Sequence, residues 1–144
     1  MSMTHHLDEP GAPQLFASGA PGLVVTDVDS TLITQEVIEE LAEAAGTRER
    51  VAEITSRAMN GELDFAESLR ERVATLRGVP DSVFGDVLAT ITTTKGARAL
   101  IDAVHAAGGH FGVVSGGFEE VVAPLVASLG IDFYAANRLE VEDG

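Results

Sequence analysis

The sequence predicts an α/β fold, a parallel sheet of about three strands interrupted after its first strand by a bundle of helices. Three observations carry this. A β-branched run, Leu23-Val24-Val25-Thr26, leads into Asp27-Val28-Asp29; a second apolar run, His110 to Val114, leads into Ser115-Gly116-Gly117; the apolar period between them is helical. Strands that alternate with helices pair in parallel through crossover connections, so the long helical stretch reads as an insertion.

The elements follow in order. Residues 1–22 are expected to form a flexible tail, since Pro10, Gly11, Pro13, Gly19 and Pro21 interrupt it and no apolar period emerges. His5 and His6 on that tail read as solvated rather than as a metal pair or a tag remnant. The continuous apolar run at Leu23 suits a strand buried on both faces. Thr34 is placed to cap a helix whose Val37, Ile38, Leu41, Ala44 and Ala45 share one side, with Gly46 as its stop. Thr47 opens a second helix with Val51, Ile54 and Ala58 on one face. Asp64 and Glu67 have capping-box spacing for a third, which ends at Gly78, and Asp81 begins a fourth carrying Val83, Phe84, Val87, Leu88 and Ile91.

A helix from about Gly96 to Ala107 then precedes the His110–Val114 strand, and the helix after Gly117 contains Pro124. Either that helix is kinked or its regular part starts near Pro124. A last strand is expected at about Asp132 to Ala136. The division is therefore a core of residues 23–33 and 93–144, with 34–92 as the helical insertion.

Composition narrows the chemistry. The 144 residues suit one domain, and 45% apolar with 22% charged residues is a globular balance. A net charge of −14 argues against nucleic acid and anionic membrane surfaces as partners. The absence of cysteine excludes disulfides, thiolate metal sites and cysteine nucleophiles. No apolar run is long enough to span a membrane and the opening residues do not read as a secretory signal, so a cytoplasmic location is expected.

If the first strand continued through both aspartates, Asp27 and Asp29 would project to the same side at its carboxyl end, where open α/β sheets bind ligands. Taken alone, such a pair could equally cap the following loop. Ser115-Gly116-Gly117 combines a hydroxyl with backbone that a ligand can approach closely, ahead of a helix amino terminus, which makes an anion site. Alone it could be an ordinary glycine-rich turn. Together the two suit phosphoryl transfer through an aspartyl phosphate: one carboxylate attacks phosphorus, the other moves the proton, and a divalent ion offsets the repulsion between the attacking carboxylate and the phosphate.

Asp27-Val28-Asp29-Ser30-Thr31-Leu32 and Val114-Ser115-Gly116-Gly117-Phe118 resemble the first two motifs of the haloacid dehalogenase superfamily. Within it they look like the phosphoserine phosphatase family, as do Met59 to Val73 and Ala135-Ala136-Asn137-Arg138-Leu139. The resemblance implies a Rossmann-like core, here incomplete, with residues 34–92 as a helical cap. It implies hydrolysis of O-phosphoserine to serine and phosphate, as in serine biosynthesis, with Mg²⁺ held at Asp27 and Asp29. Asp27 becomes the nucleophile and Asp29 the general acid and base, its backbone carbonyl also facing the metal. Ser115 and Gly116 hold the phosphate, Glu36 meets the substrate ammonium, Arg72 meets its carboxylate, and Met59 and Phe65 shape the pocket.

The residues support these cap assignments unequally. Phe65, Leu69, Val73 and Leu76 form one apolar stripe with Arg72 at its edge, so an inward guanidinium is expected. Glu36 falls on the side of Glu39, Glu40 and Glu43 and reads as a helix-start charge.

The family also needs, after the second motif, a lysine and an acidic strand end. No lysine follows Ser115; Lys95, the only lysine, precedes it and reads as solvated. Asp143-Gly144 is rejected as the acidic motif because no buried strand leads into it. The chain therefore reads as truncated before the third and fourth motifs, with little or no activity expected. The Leu23 to Thr26 strand would then form an exposed edge open to self-association. Alternatives are a superfamily phosphatase or phosphotransferase for another small monoester, and a non-catalytic fragment that binds phosphate or a partner chain. A metal-dependent glycosyltransferase is disfavoured by the helical insertion and the Ser-Gly-Gly turn.

Overall fold

The computed structural model describes Phe16 and residues 19–144. His5, His6 and most of the expected tail lie outside the described residues. The elements are β1 (Leu23–Thr26), α1 (Val37–Ala45), α2 (Arg48–Met59), α3 (Phe65–Ala74), α4 (Val83–Thr90), α5 (Ala97–Ala106), β2 (His110–Phe118), α6 (Glu119–Leu129) and β3 (Phe133–Asn137). The three strands are parallel in the order β1-β2-β3, with Leu23 opposite His110 and Gly112 opposite Phe133. This is the mixed α/β fold with a helical insertion that the alternation of elements predicts.

The central strand carries the core. Phe111 and Val113 of β2 are buried with Ile101 and Val104 of α5 and with Val121, Val122 and Leu125 of α6. The other face of the sheet is largely bare: Leu23 is 54% exposed, Val25 47% and Val114 54%. The expectation of a first strand buried on both faces therefore fails. Sequence period cannot separate an edge strand from a central one, and β1 is an edge among the described residues.

The helical insert leaves and rejoins the core through two paired segments. Ile33 bridges Thr93 in antiparallel fashion, Thr34 N–H donates to Thr92 O at 2.9 Å, and Thr94 N–H donates to Leu32 O at 2.8 Å. The Gln35 side chain ties them further, donating to Thr90 O at 3.0 Å and accepting from Thr92 N–H at 2.9 Å. This pairing is why Thr34 does not cap α1: its backbone is committed to Thr92, and the helix begins three residues later at Val37.

Other helix signals hold. Gly46 ends α1 at φ 71°, where the absent Cβ permits a left-handed stop. Asp64 and Glu67 form both halves of the capping box, at 2.8 and 3.0 Å, so α3 starts where its sequence says. Other bounds differ: α3 ends at Ala74 rather than at Gly78, and α4 begins at Val83 behind Ser82 rather than at Asp81. β2 does not end at Val114 but runs on through Phe118, so α6 starts directly at Glu119. Pro124 consequently lies inside α6 and not in its first turn.

The capping box gives a direct test. Asp64→Ala removes the acceptor for Glu67 N–H and should lower unfolding stability by about 1 kcal/mol, read from the urea midpoint. An unchanged midpoint would count against the box as the start signal of α3.

Candidate active site

The site begins where β1 stops. Asp27 follows the strand at φ −72°, ψ 168°, and its Oδ1 accepts from Val28 N–H at 2.7 Å. Residues 28–32 then fold into a tight turn closed by Ile33 N–H to Val28 O at 3.1 Å, anchored by the buried Val28 and Leu32. Ser30 sits in the left-handed region at φ 51°, unusual for a residue with a side chain. The strand does not run through both aspartates, so the same-face argument lacks its premise. The turn nevertheless brings Asp27 and Asp29 to one cavity of about 260 Å³ at the carboxyl end of β1.

Glu36 and Arg72 line the same cavity. Glu36 lies just ahead of α1 with extended dihedrals, φ −101° and ψ 116°, so the helical wheel that grouped it with Glu39, Glu40 and Glu43 does not apply to it. Ser30 Oγ donates to Glu36 Oε1 at 2.6 Å. Arg72 projects from α3 as expected from its place beside the apolar stripe, its Nε donating to Ser68 O at 3.3 Å. Phe65, in the first turn of α3, also lines the cavity and lies against Gly116, where a Cβ would stand 3.3 Å from its ring. Met59 is 85% exposed at the end of α2 and is not among the lining residues.

Across the cavity, Gly116 and Gly117 present backbone. Ser115 is buried beneath them, its Oγ accepting from Gly117 N–H at 2.9 Å. A Cβ on Gly117 would stand 3.0 Å from Ser115 Oγ and 3.4 Å from Asp29 Oδ2, so a glycine there lets β2 approach the aspartate. Ile38, Leu69 and Phe118 complete the lining. Sequence reading assigned Ile38 and Leu69 to ordinary helix faces, since an apolar wall and a core position carry the same signal.

Electrostatics separates the two aspartates. Burial, with Glu36 and Asp27 nearby, pushes the Asp29 carboxyl up to about 6, against the Val37 N–H that donates to Oδ1 at 3.1 Å and the Arg72 charge. Such a group is partly protonated near neutrality and can give or take a proton. Asp132 is held low instead, by Phe111 N–H at 2.7 Å and by His105 at 2.8 Å, and it anchors the start of β3 away from the cavity. Asp143 lines a separate groove beside α3 and α4, and Lys95 is exposed outside the cavity.

As to a metal, the Asp27 carboxylate and the Asp29 backbone carbonyl are hard oxygen donors that suit Mg²⁺. Among the described residues no group of three or more His, Cys, Asp or Glu could hold an ion, so these two supply only part of a coordination shell.

Comparison with known proteins agrees with this geometry. Residues 24–144 match the haloacid dehalogenase-like hydrolase family. The chain is 56% identical to a phosphoserine phosphatase of Streptococcus thermophilus over 127 residues, which cover 88% of this chain and 59% of that protein. It is 55% identical to one of Lactococcus lactis, covering 87% and 58%. Among solved structures, a phospho-aspartyl intermediate analogue of phosphoserine phosphatase superposes with a TM-score of 0.79 at 42% identity, covering 87% of this chain and 60% of that one. A substrate-bound phosphoserine phosphatase complex gives 0.80 at 40% identity, covering 88% and 60%. The chain thus spans less than two thirds of these relatives.

The raised Asp29 carboxyl has a thermodynamic signature. A folded pKa of about 6 against an ordinary 3.8 means the folded state binds more protons between those values, so stability falls as pH rises through that window. Asp29→Asn keeps an acceptor for Val37 N–H and drops the charge. In chelator-containing buffer the variant should be more stable than the parent at pH 7.5, the gap closing as pH falls through 6 towards 4. A gap independent of pH, by urea denaturation, would contradict the assignment.

Proposed function

The chain belongs to the haloacid dehalogenase-like hydrolase family, and on that premise we propose that its site serves the hydrolysis of O-phospho-L-serine to L-serine and phosphate, the closing step of a serine-forming route. The observation that carries the reading is the convergence of Asp27, Asp29, Glu36, Arg72 and the Gly116-Gly117 backbone on one small cavity. Opposite charges wait there for the ammonium and the carboxylate, and neutral donors for the phosphate. Glu36 meets the ammonium, Arg72 clamps the carboxylate, and Ser115 and Gly116 hold the phosphate. Phe65 closes the cavity from the helical side.

Asp27 attacks phosphorus in line as the Asp29 carboxylic acid protonates the departing serine oxygen. The second half reverses the proton: Asp29, now a carboxylate, takes one from water as it attacks the aspartyl phosphate, releasing phosphate and restoring Asp27. A pKa of about 6 suits Asp29 to both halves. The Asp27 and Asp29 oxygens would hold Mg²⁺, which when bound offsets the repulsion between carboxylate and phosphate.

β1 is an edge strand among the described residues, which supports a second property, self-association through that edge. A mass that stays monomeric across concentration would count against it.

Recognition of serine is tested by truncating the ligand. O-Phosphoserine and phosphoethanolamine share phosphate and ammonium, but only the first has a carboxylate. Arg72→Ala should weaken O-phosphoserine binding about tenfold or more, the worth of charge-assisted hydrogen bonds, and leave phosphoethanolamine nearly unchanged. Equal effects on both would reject the clamp. A polypeptide of these 144 residues alone should release little phosphate, since no lysine follows Ser115. Mg²⁺-dependent turnover abolished by Asp27→Asn would overturn that expectation.

A further inference from the structure

The strand β2 is not regular where it meets the cavity. Val114 pairs with Ala135 and the next pair is Phe118 with Asn137, so four steps along β2 answer two along β3. The two extra residues arch Ser115, Gly116 and Gly117 away from the ladder. An arched segment loses its strand hydrogen bonds, and its peptide planes must be fixed some other way.

Here the fixing is done by two side chains acting on one peptide unit. Gly117 N–H donates to Ser115 Oγ at 2.9 Å, and the carbonyl at the other end of that unit, Gly116 O, accepts from Asn137 Nδ2 at 3.0 Å. Asn137 ends β3, half-buried, and its backbone pairs with Phe118 at the far side of the arch. Its amide therefore spans the gap that the register shift opens. The arrangement also sorts the donors. Gly117 N–H is already spent on Ser115, which leaves the Ser115 hydroxyl proton and the Gly116 N–H for an anion.

We propose that Asn137 is a positioning residue for the anion site: by holding the Gly116 carbonyl it fixes the Gly116–Gly117 peptide plane, and so the aim of the Ser115 hydroxyl and the Gly116 amide at phosphate. It touches no substrate. The role rests on the reading of Ser115 and Gly116 as the phosphate holders and adds to it a residue on a different strand.

The test uses inorganic phosphate as the probe and the amide spectrum of the ¹⁵N-labelled chain, with Mg²⁺ present throughout. In the parent, phosphate should shift the resonances of Ser115 to Phe118. Asn137→Ala should weaken that binding about fivefold, the size of one neutral hydrogen bond, and move the Gly116 and Gly117 resonances before any phosphate is added. Asn137→Asp keeps the shape but turns an oxygen towards the Gly116 carbonyl, so it should bind more weakly than Asn137→Ala. Binding by both variants within twofold of the parent overturns the proposal. If phosphate leaves Ser115 to Phe118 of the parent unshifted, the anion site itself falls, and the role of Asn137 with it. Thermal unfolding of each variant distinguishes loss of fold from loss of aim: a variant that melts near the parent and binds weakly supports the role.

Discussion

Everything around the cavity depends on holding three carboxylates together in a partly buried place. Asp27, Asp29 and Glu36 share the cavity with one guanidinium, Arg72, and their mutual repulsion would scatter them if the chain were loose. Each is tied by a donor from its own neighbourhood: Asp27 by Val28 N–H, Asp29 by Val37 N–H, Glu36 by the Ser30 hydroxyl. All the atoms involved lie between residues 27 and 37. The left-handed Ser30 and the tight turn are the conformational cost of that concentration.

The Asp29–Val37 bond does a second thing. Val37 opens α1, so the Asp29 carboxylate also supplies an acceptor to the first exposed amide of a helix in the insert. Core and helical insert are thereby joined at the cavity, and again at the paired segments around Ile33 and Thr93. The cavity is built across that junction and takes its lining from both sides. Arg72 and Phe65 come from the insert, Asp27 and Gly116 from the sheet.

How much of this could be read from sequence depended on how local the signal was. The Asp64 capping box is written in four residues and appears as written. The two motifs were legible because each follows an apolar run, and β1 and β2 pair in parallel, which brings both to the same end of the sheet. Thr34 misled because its partner, Thr92, is distant in the chain, and no local rule anticipates that pairing. Glu36 misled for a related reason, since moving the helix start takes it off the helix altogether. Met59 lies in a segment that looks like the family cap, yet its side chain faces solvent, because helix-end orientation depends on packing that spacing does not encode. The register shift in β2 left no trace beyond two adjacent glycines.

That shift places two more residues on β2 than on β3 between Val114 and Phe118. Val114 enters the arch 54% exposed and Phe118 leaves it buried in the core, so side-chain alternation is not carried across it. The arch is pinned at both ends, by the return of Phe118 to the ladder opposite Asn137 and by the Asn137 amide on Gly116 O. A change of length there would have to undo one of those two ties, whereas a substitution within it leaves both in place.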